Sequence, residues 1–240
     1  MVVYKINEII MKKHLLFILF LTIFSCAWAQ SGTVKVLGGK VIEGQFFFDK
    51  LYVFESYLDG RISLKNGEYY SGKININTLT QTVRIISQEG DTIRINSEKN
   101  VDVVSAGRQF FKKINSFYVQ LLNTDGETSL GLVRKMAIGK EKIVGAYGGT
   151  SEVASVTKIA SVQDDSRFDR ISGASNVEYM YDELIYLIVK NKMLIATKRN
   201  FEKAFPKQKS LISKYIKNNN VKFSQKDDVI PLFSYILANK

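Results

Sequence analysis

Past residue 29 the chain has no cysteine, no histidine and no tryptophan. His14, Cys26 and Trp28 are the only ones among its 240 residues. A protein that begins near residue 30 therefore has no thiol and no imidazole, the groups that titrate near neutrality or act as soft ligands. That excludes a Cys or His nucleophile, a Ser-His-Asp relay and any zinc or copper site built on His and Cys. It also excludes disulfides, so stability has to come from packing. Proline is nearly absent too, with only Pro206 and Pro231. Hydrophobic residues make up 45% of the chain, enough for a core of ordinary size in one domain or two small ones.

The first 29 residues read as a secretory signal peptide. Met11-Lys12-Lys13-His14 is a positive n-region, Leu15 to Phe24 is the apolar h-region, and Ala27-Trp28-Ala29 is a small-x-small site cut before Gln30. The apolar run is too short to span a bilayer, which takes about 20 residues. Residues 1–10 are either an extension or the product of an early start, with Met11 the true one; both give the same mature chain. Ile23-Phe24-Ser25-Cys26 loosely matches a lipobox, although Phe24 departs from it. Lipidation at Cys26 is thus the alternative to plain cleavage, and it would tether the protein to a membrane.

From about Thr33 to Ile188 the pattern is short β-favouring runs separated by turns. Arg61 to Lys65, the turn Asn66-Gly67 and Glu68 to Ile76 form the clearest hairpin. Thr82 to Ser87 and Thr92 to Asn96 repeat the scheme around Glu89-Gly90-Asp91. Val101 to Val104, Phe117 to Leu122 and Ser129 to Val133 continue it, the last two joined across Asp125-Gly126. Residues 145–176 are rich in Gly and Ser and read as a long loop. Val177 to Tyr181 and Leu184 to Val189 read as two further strands around Asp182-Glu183. The expected fold is mainly β, an antiparallel sandwich or partly open barrel, over residues 30–190. Residues 191–240 read as a short α-helical tail. There Leu211, Ile212, Tyr215 and Ile216 share a face, Pro206 separates two helices, and the last helix starts near Asp227 or Asp228 with Pro231 in its first turn.

Charge divides the chain in the same way. Residues 30–189 hold 19 Lys/Arg and 19 Asp/Glu, whereas residues 190–217 hold nine Lys/Arg against Glu202 alone. Lys198, Arg199, Lys203, Lys207, Lys209, Lys214 and Lys217 are therefore the candidate contacts for an anionic partner. A solvated helix surface is the alternative. No motif points to nucleic acid.

Signals for catalysis are weak. Ser155-Val156-Thr157-Lys158 matches S-x-x-K without its partner motifs. Glu43, Glu55, Glu68 and Asp91 are candidates for paired-carboxylate hydrolysis of a glycan, but most lie beside turn glycines. Asp164, Asp165 and Asp169 could offer oxygen ligands to calcium, yet they lack EF-hand spacing. Gly145, Gly148 and Gly149 lack the Lys-Ser/Thr of a phosphate loop. No catalytic residue, metal or cofactor is expected.

The segments Gly60 to Gly67, Ile74 to Gln81, Gly90 to Ile93, Gly107 to Phe110, Gly145 to Gly148 and Ala204 to Asn218 together resemble an uncharacterised group of exported proteins in Bacteroidota-type Gram-negative bacteria. The resemblance implies an envelope location, periplasmic or associated with the outer membrane, and a β-rich body with a helical tail. It carries no activity and no catalytic residue. The expected role is a non-enzymatic scaffold or binding module whose tail engages an envelope protein or an anionic lipid or glycolipid. A carbohydrate-active hydrolase is the alternative.

Overall fold

Strand runs punctuated by glycine turns fold, in the computed structural model, into a single antiparallel sheet. The structure describes residues 30–86, 90, 92–95, 98–144, 150–152, 162–164, 167–168 and 174–240. In chain order the strands are β1 (Gln30–Leu37), β2 (Lys40–Glu43), β3 (Leu58–Leu64), β4 (Tyr69–Asn77), β5 (Thr82–Ile86), β6 (Thr92–Arg94), β7 (Val101–Ala106) and β8 (Gln109–Ile114). Then follow β9 (Phe117–Asp125), β10 (Thr128–Val144), β11 (Thr150–Glu152), β12 (Val162–Asp164), β13 (Arg167–Phe168), β14 (Ala174–Val189) and β15 (Lys192–Ile195). Helix α1 (Gln45–Leu51) lies between β2 and β3, and α2 (Lys198–Ala204), α3 (Lys209–Asn219) and α4 (Lys226–Ala238) end the chain. The sheet order is β12-β13-β2-β1-β14-β10-β9-β8-β7-β3-β4-β5-β6, with β11 beside β10 and β15 beside β14. The mainly β class with a C-terminal helical region holds, and the sheet stays open.

The hairpins form where the turn chemistry places them. Gly67, at φ 91°, turns β3 into β4, and Gly126, at φ 54°, turns β9 into β10. Residues directly opposite on neighbouring strands share a face. One such row runs Ile62, Val104, Phe111, Gln120, Leu132, Ile185 across six strands. All three larger cores lie on this inner face. The β3–β9 half curls over its own core, which includes Ile62, Ile74, Val83, Val104 and Phe111. Helix α1 covers Val34, Val36, Met136 and Val177, and the C-terminal helices cover Leu130, Leu132, Ile185 and Leu187.

One turn ties these parts together. Residues 78–81, between β4 and β5, reach across the curl to β10 and β9. Met136 N–H donates to the Thr78 carbonyl at 2.9 Å, and Gln81 Nε2 donates to the carbonyls of Thr78 at 2.8 Å and Arg134 at 2.9 Å. Gln81 Oε1 accepts from Tyr118 N–H at 3.2 Å, so the side-chain amide bridges β9 and β10 where their own pairing ends at Val119 and Val133. From the other side, Thr78 Oγ1 donates to the Lys50 carbonyl at 2.6 Å and Thr78 N–H to the Leu51 carbonyl at 2.8 Å, fixing the end of α1.

Several sequence expectations need correction. Asp182-Glu183 makes no turn: β14 runs unbroken for 16 residues because β10 pairs with it from Ser175 to Val189, with one register shift. Lys135–Asp182 and Arg134–Glu183 ion pairs, at 3.6 and 3.3 Å, stabilise the two acids within the strand. The phenylalanine run after Gly44, to which the sequence assigned no element, forms α1, and Phe47 and Leu51, four apart, both insert into the core. Strand β8, not anticipated, fills the gap between β7 and β9. Pro231 is the sixth residue of α4 and so sits past its first turn, and Asp228 accepts from Lys222 N–H at 2.8 Å. Most of residues 145–176 lies outside the described residues, as does the whole of 1–29.

The Gln81 bridge sets the first expectation. Gln81→Ala removes three hydrogen bonds and leaves buried backbone groups unpaired, so unfolding free energy should fall by about 2–3 kcal/mol. Urea denaturation would show this as a lower midpoint with an unchanged slope. Gly131→Ala should be as harmful, since its Cβ would fall 2.4 Å from Val119 Cγ1 and 2.9 Å from Ile188 Cδ1.

Candidate functional site

The three C-terminal helices are amphipathic, and packing decides which way each basic side chain faces. In α2, Phe201 enters the core, which turns Lys198, Arg199 and Lys203 outward; Arg199 and Lys203 are four apart and share a face. Thr197 Oγ1 caps this helix by accepting from Asn200 N–H at 3.3 Å. Lys207 lies in the single 3-10 turn Pro206–Gln208, and Lys209 opens α3. Within α3, Leu211, Ile212, Tyr215 and Ile216 pack on the sheet side, leaving Lys214 and Lys217 exposed one turn apart. Phe201, Phe205, Phe223 and Phe233 interlock beneath this layer with ring centroids 5.8–6.5 Å apart.

All seven candidate cations are exposed. Lys198 pairs with Glu202 at 3.7 Å, and Glu202 also accepts from Ser213 Oγ at 3.0 Å. Among the described residues, no other ion pair involves the seven. The layer therefore presents uncompensated positive charge on a rigid support.

A second polar group, which the sequence did not single out, lies on the inner face beside the Gln81 turn. Glu98 Oε1 accepts from Val83 N–H at 2.8 Å, and its Oε2 accepts from the Tyr118 hydroxyl. Lys113 Nζ lies 3.9 Å from Glu98 Oε2, donates to the Gln81 carbonyl at 2.9 Å and sits 3.9 Å from the Tyr118 ring centroid. Burial raises the Glu98 carboxyl above its usual range, partly opposed by the Tyr118 and Val83 hydrogen bonds and by the Lys113 and Arg84 charges. Burial lowers Lys113, with Glu98 acting against it, and raises Tyr118. Further along, Arg134 donates to Gln120 Oε1 at 2.7 Å and to Glu183 Oε1 at 3.3 Å, while the Tyr181 hydroxyl donates to the same Glu183 oxygen at 2.9 Å. This polar row separates the core under α1 from the core under α2–α4. Its residues come from β5, β8, β9, β10, β14 and the 3-10 turn Glu98–Asn100, so no local spacing could have revealed it.

The remaining sequence candidates are not brought together. Glu43 ends β2 and pairs with Lys35 at 2.5 Å, Glu55 lies in the bend before β3, and Glu68 lies in the β3–β4 turn; all three are exposed. Asp91, Ser155, Lys158, Asp165, Asp169 and Cys26 lie outside the described residues, as do Gly145, Gly148 and Gly149. Asp164 closes the short strand β12. Among the described residues no group of three or more His, Cys, Asp or Glu could hold a metal ion. None of the described helices is long and apolar enough to cross a membrane.

The fold thus defines an open antiparallel sheet protein with a basic helical layer on its inner face. No family model, curated protein or solved structure matches the chain.

Glu98 yields a pH prediction with a definite sign. Because its folded pKa lies above the reference value of 4.5, the folded state binds the proton more tightly. The stability this contributes is complete below pH 4.5 and lost as pH rises through the folded pKa. Glu98→Gln keeps an acceptor for Val83 N–H and removes that loss. The stability of the Glu98→Gln variant relative to wild type should therefore climb as pH rises above 4.5, as read by thermal unfolding at each pH.

Proposed function

We propose that the chain is a non-enzymatic exported protein of the cell envelope, periplasmic or associated with the outer membrane, which binds an anionic partner through the basic layer of α2 and α3. The observation that carries this reading is the exposure of seven cations on helices fixed to the sheet by a shared core, of which Lys198 alone is in an ion pair among the described residues. The signal-like pattern of residues 11–30 and the resemblance to exported proteins of Bacteroidota-type bacteria support the location. The partner is an anionic envelope lipid or glycolipid, or an acidic envelope protein. Carboxylate hydrolysis gains no support from Glu43, Glu55 and Glu68, which occupy separate strand ends, bends and turns.

Deleting the tail is the wrong test. Leu130, Leu132, Ile185 and Leu187 would lose their cover, and the sheet would be destabilised along with any binding. Substitution avoids this. Replacing Lys203, Lys207, Lys214 and Lys217 by Gln removes four exposed charges, each contributing about 1 kcal/mol near an anionic surface at low salt. Affinity for anionic vesicles should fall by about 100- to 1000-fold, and the salt dependence should flatten. Unchanged, salt-insensitive binding by the variant would remove the role given to the layer.

A further inference from the structure

The outer face of the sheet, opposite the three larger cores, carries a feature independent of the basic layer. One cross-strand row on this face runs Ser71, Arg61, Ser105, Phe110 over β4, β3, β7 and β8; the next runs Tyr69, Ser63, Val103, Lys112 over the same strands. Phe110 is 55% exposed and Tyr69 60%, although both are large apolar rings on regular strands. Three strand steps and one two-residue row step separate Phe110 on β8 from Tyr69 on β4, so the two rings stand about 16 Å apart. The floor between them is made mostly of small side chains, and the Arg61 guanidinium lies 4.5 Å from the Tyr69 ring centroid. Ser105 Oγ donates to the Arg61 carbonyl at 3.4 Å and keeps its lone pairs for a further donor.

We infer that this platform binds an acidic glycan, laid across the strands with sugar faces on Phe110 and Tyr69 and its acidic groups on Arg61 and Lys112. Each part of the surface matches that ligand. Exposed rings flanking a shallow, hydroxyl-bearing floor suit a chain with alternating apolar faces and hydroxyls, whereas an added peptide strand would need a sheet edge. The local charge is positive: Arg61, Lys112 and Arg108 stand on or beside the face, Asp59 pairs with Lys73 at 3.5 Å, and Glu68 lies in the β3–β4 turn. Beyond Lys112 the surface continues into a depression of about 430 Å³, lined in part by Lys112, Leu121, Ser129 and Lys190. The basic layer sits on the opposite face of the sheet, so the two surfaces cannot lie against one flat partner together.

Calorimetric titration with a short oligogalacturonate, neutral dextran as control, and anionic vesicles in parallel tests this. Phe110→Ala and Arg61→Gln should each weaken oligogalacturonate binding about five- to tenfold, leave vesicle binding unchanged and keep the thermal unfolding temperature, since both side chains are exposed. The four-lysine variant should do the reverse. Absence of oligogalacturonate binding, equal binding by wild type and both platform variants, or loss of it in the four-lysine variant would overturn the proposal. The basic-layer reading would still be judged on the vesicle arm.

Discussion

The amide of Gln81 is the constraint on which the architecture depends. An antiparallel meander of this length has no inherent reason to stop curling at one radius, because neighbouring strands only fix local twist. Gln81 sets the radius by inserting one side chain between two strands that have just parted, accepting from one and donating to the other. Its backbone is left-handed, at φ 52°, which lets the turn fold back far enough for Met136, Lys113 and Thr78 to close around it. The result behaves like a clasp on an otherwise open sheet.

That clasp explains why polar residues cross the inner face between two cores. Where Gln81 occupies the space between β9 and β10, apolar side chains cannot seal the surface, so polar side chains line up there, Tyr118 bonded to Glu98 and Arg134 to Gln120 and Glu183. Buried charge is costly unless paired, and each carboxylate in the row has at least two partners. The apolar ends of β10 and β14 are then free to take separate covers, α1 at one end and the helical layer at the other. The exposed cations follow from this: once the apolar stripe of each helix is committed to the sheet, the remaining positions can only face solvent.

The sequence revealed what is local. The Asn66-Gly67 and Asp125-Gly126 hairpins, the face of α3 and the uneven charge each depend on a few adjacent residues, and each stands in the structure. What depends on distant partners was hidden. Glu98 sits in a polar run indistinguishable from a surface loop until Val83, Lys113 and Tyr118 converge on it. Asp182-Glu183 looked like a turn because acids are rare in mid-strand, and only the facing Lys135 and Arg134 make them acceptable. Phe110 and Tyr69 did not stand out, since their exposure depends on which face the cores use, and pairing sets that.

The pairing of β1 with β14 aligns Gln30 with Tyr181, so the edge of β1 that β2 leaves free waits for a partner some 150 residues downstream. A chain emerging from its N-terminus cannot complete this ladder until it has been made as far as Tyr181. Contacts of such long sequence separation form slowly, because the intervening loop must close before the pairing rewards it. Until then β1 is an uncommitted edge, open to wrong partners and to proteolysis.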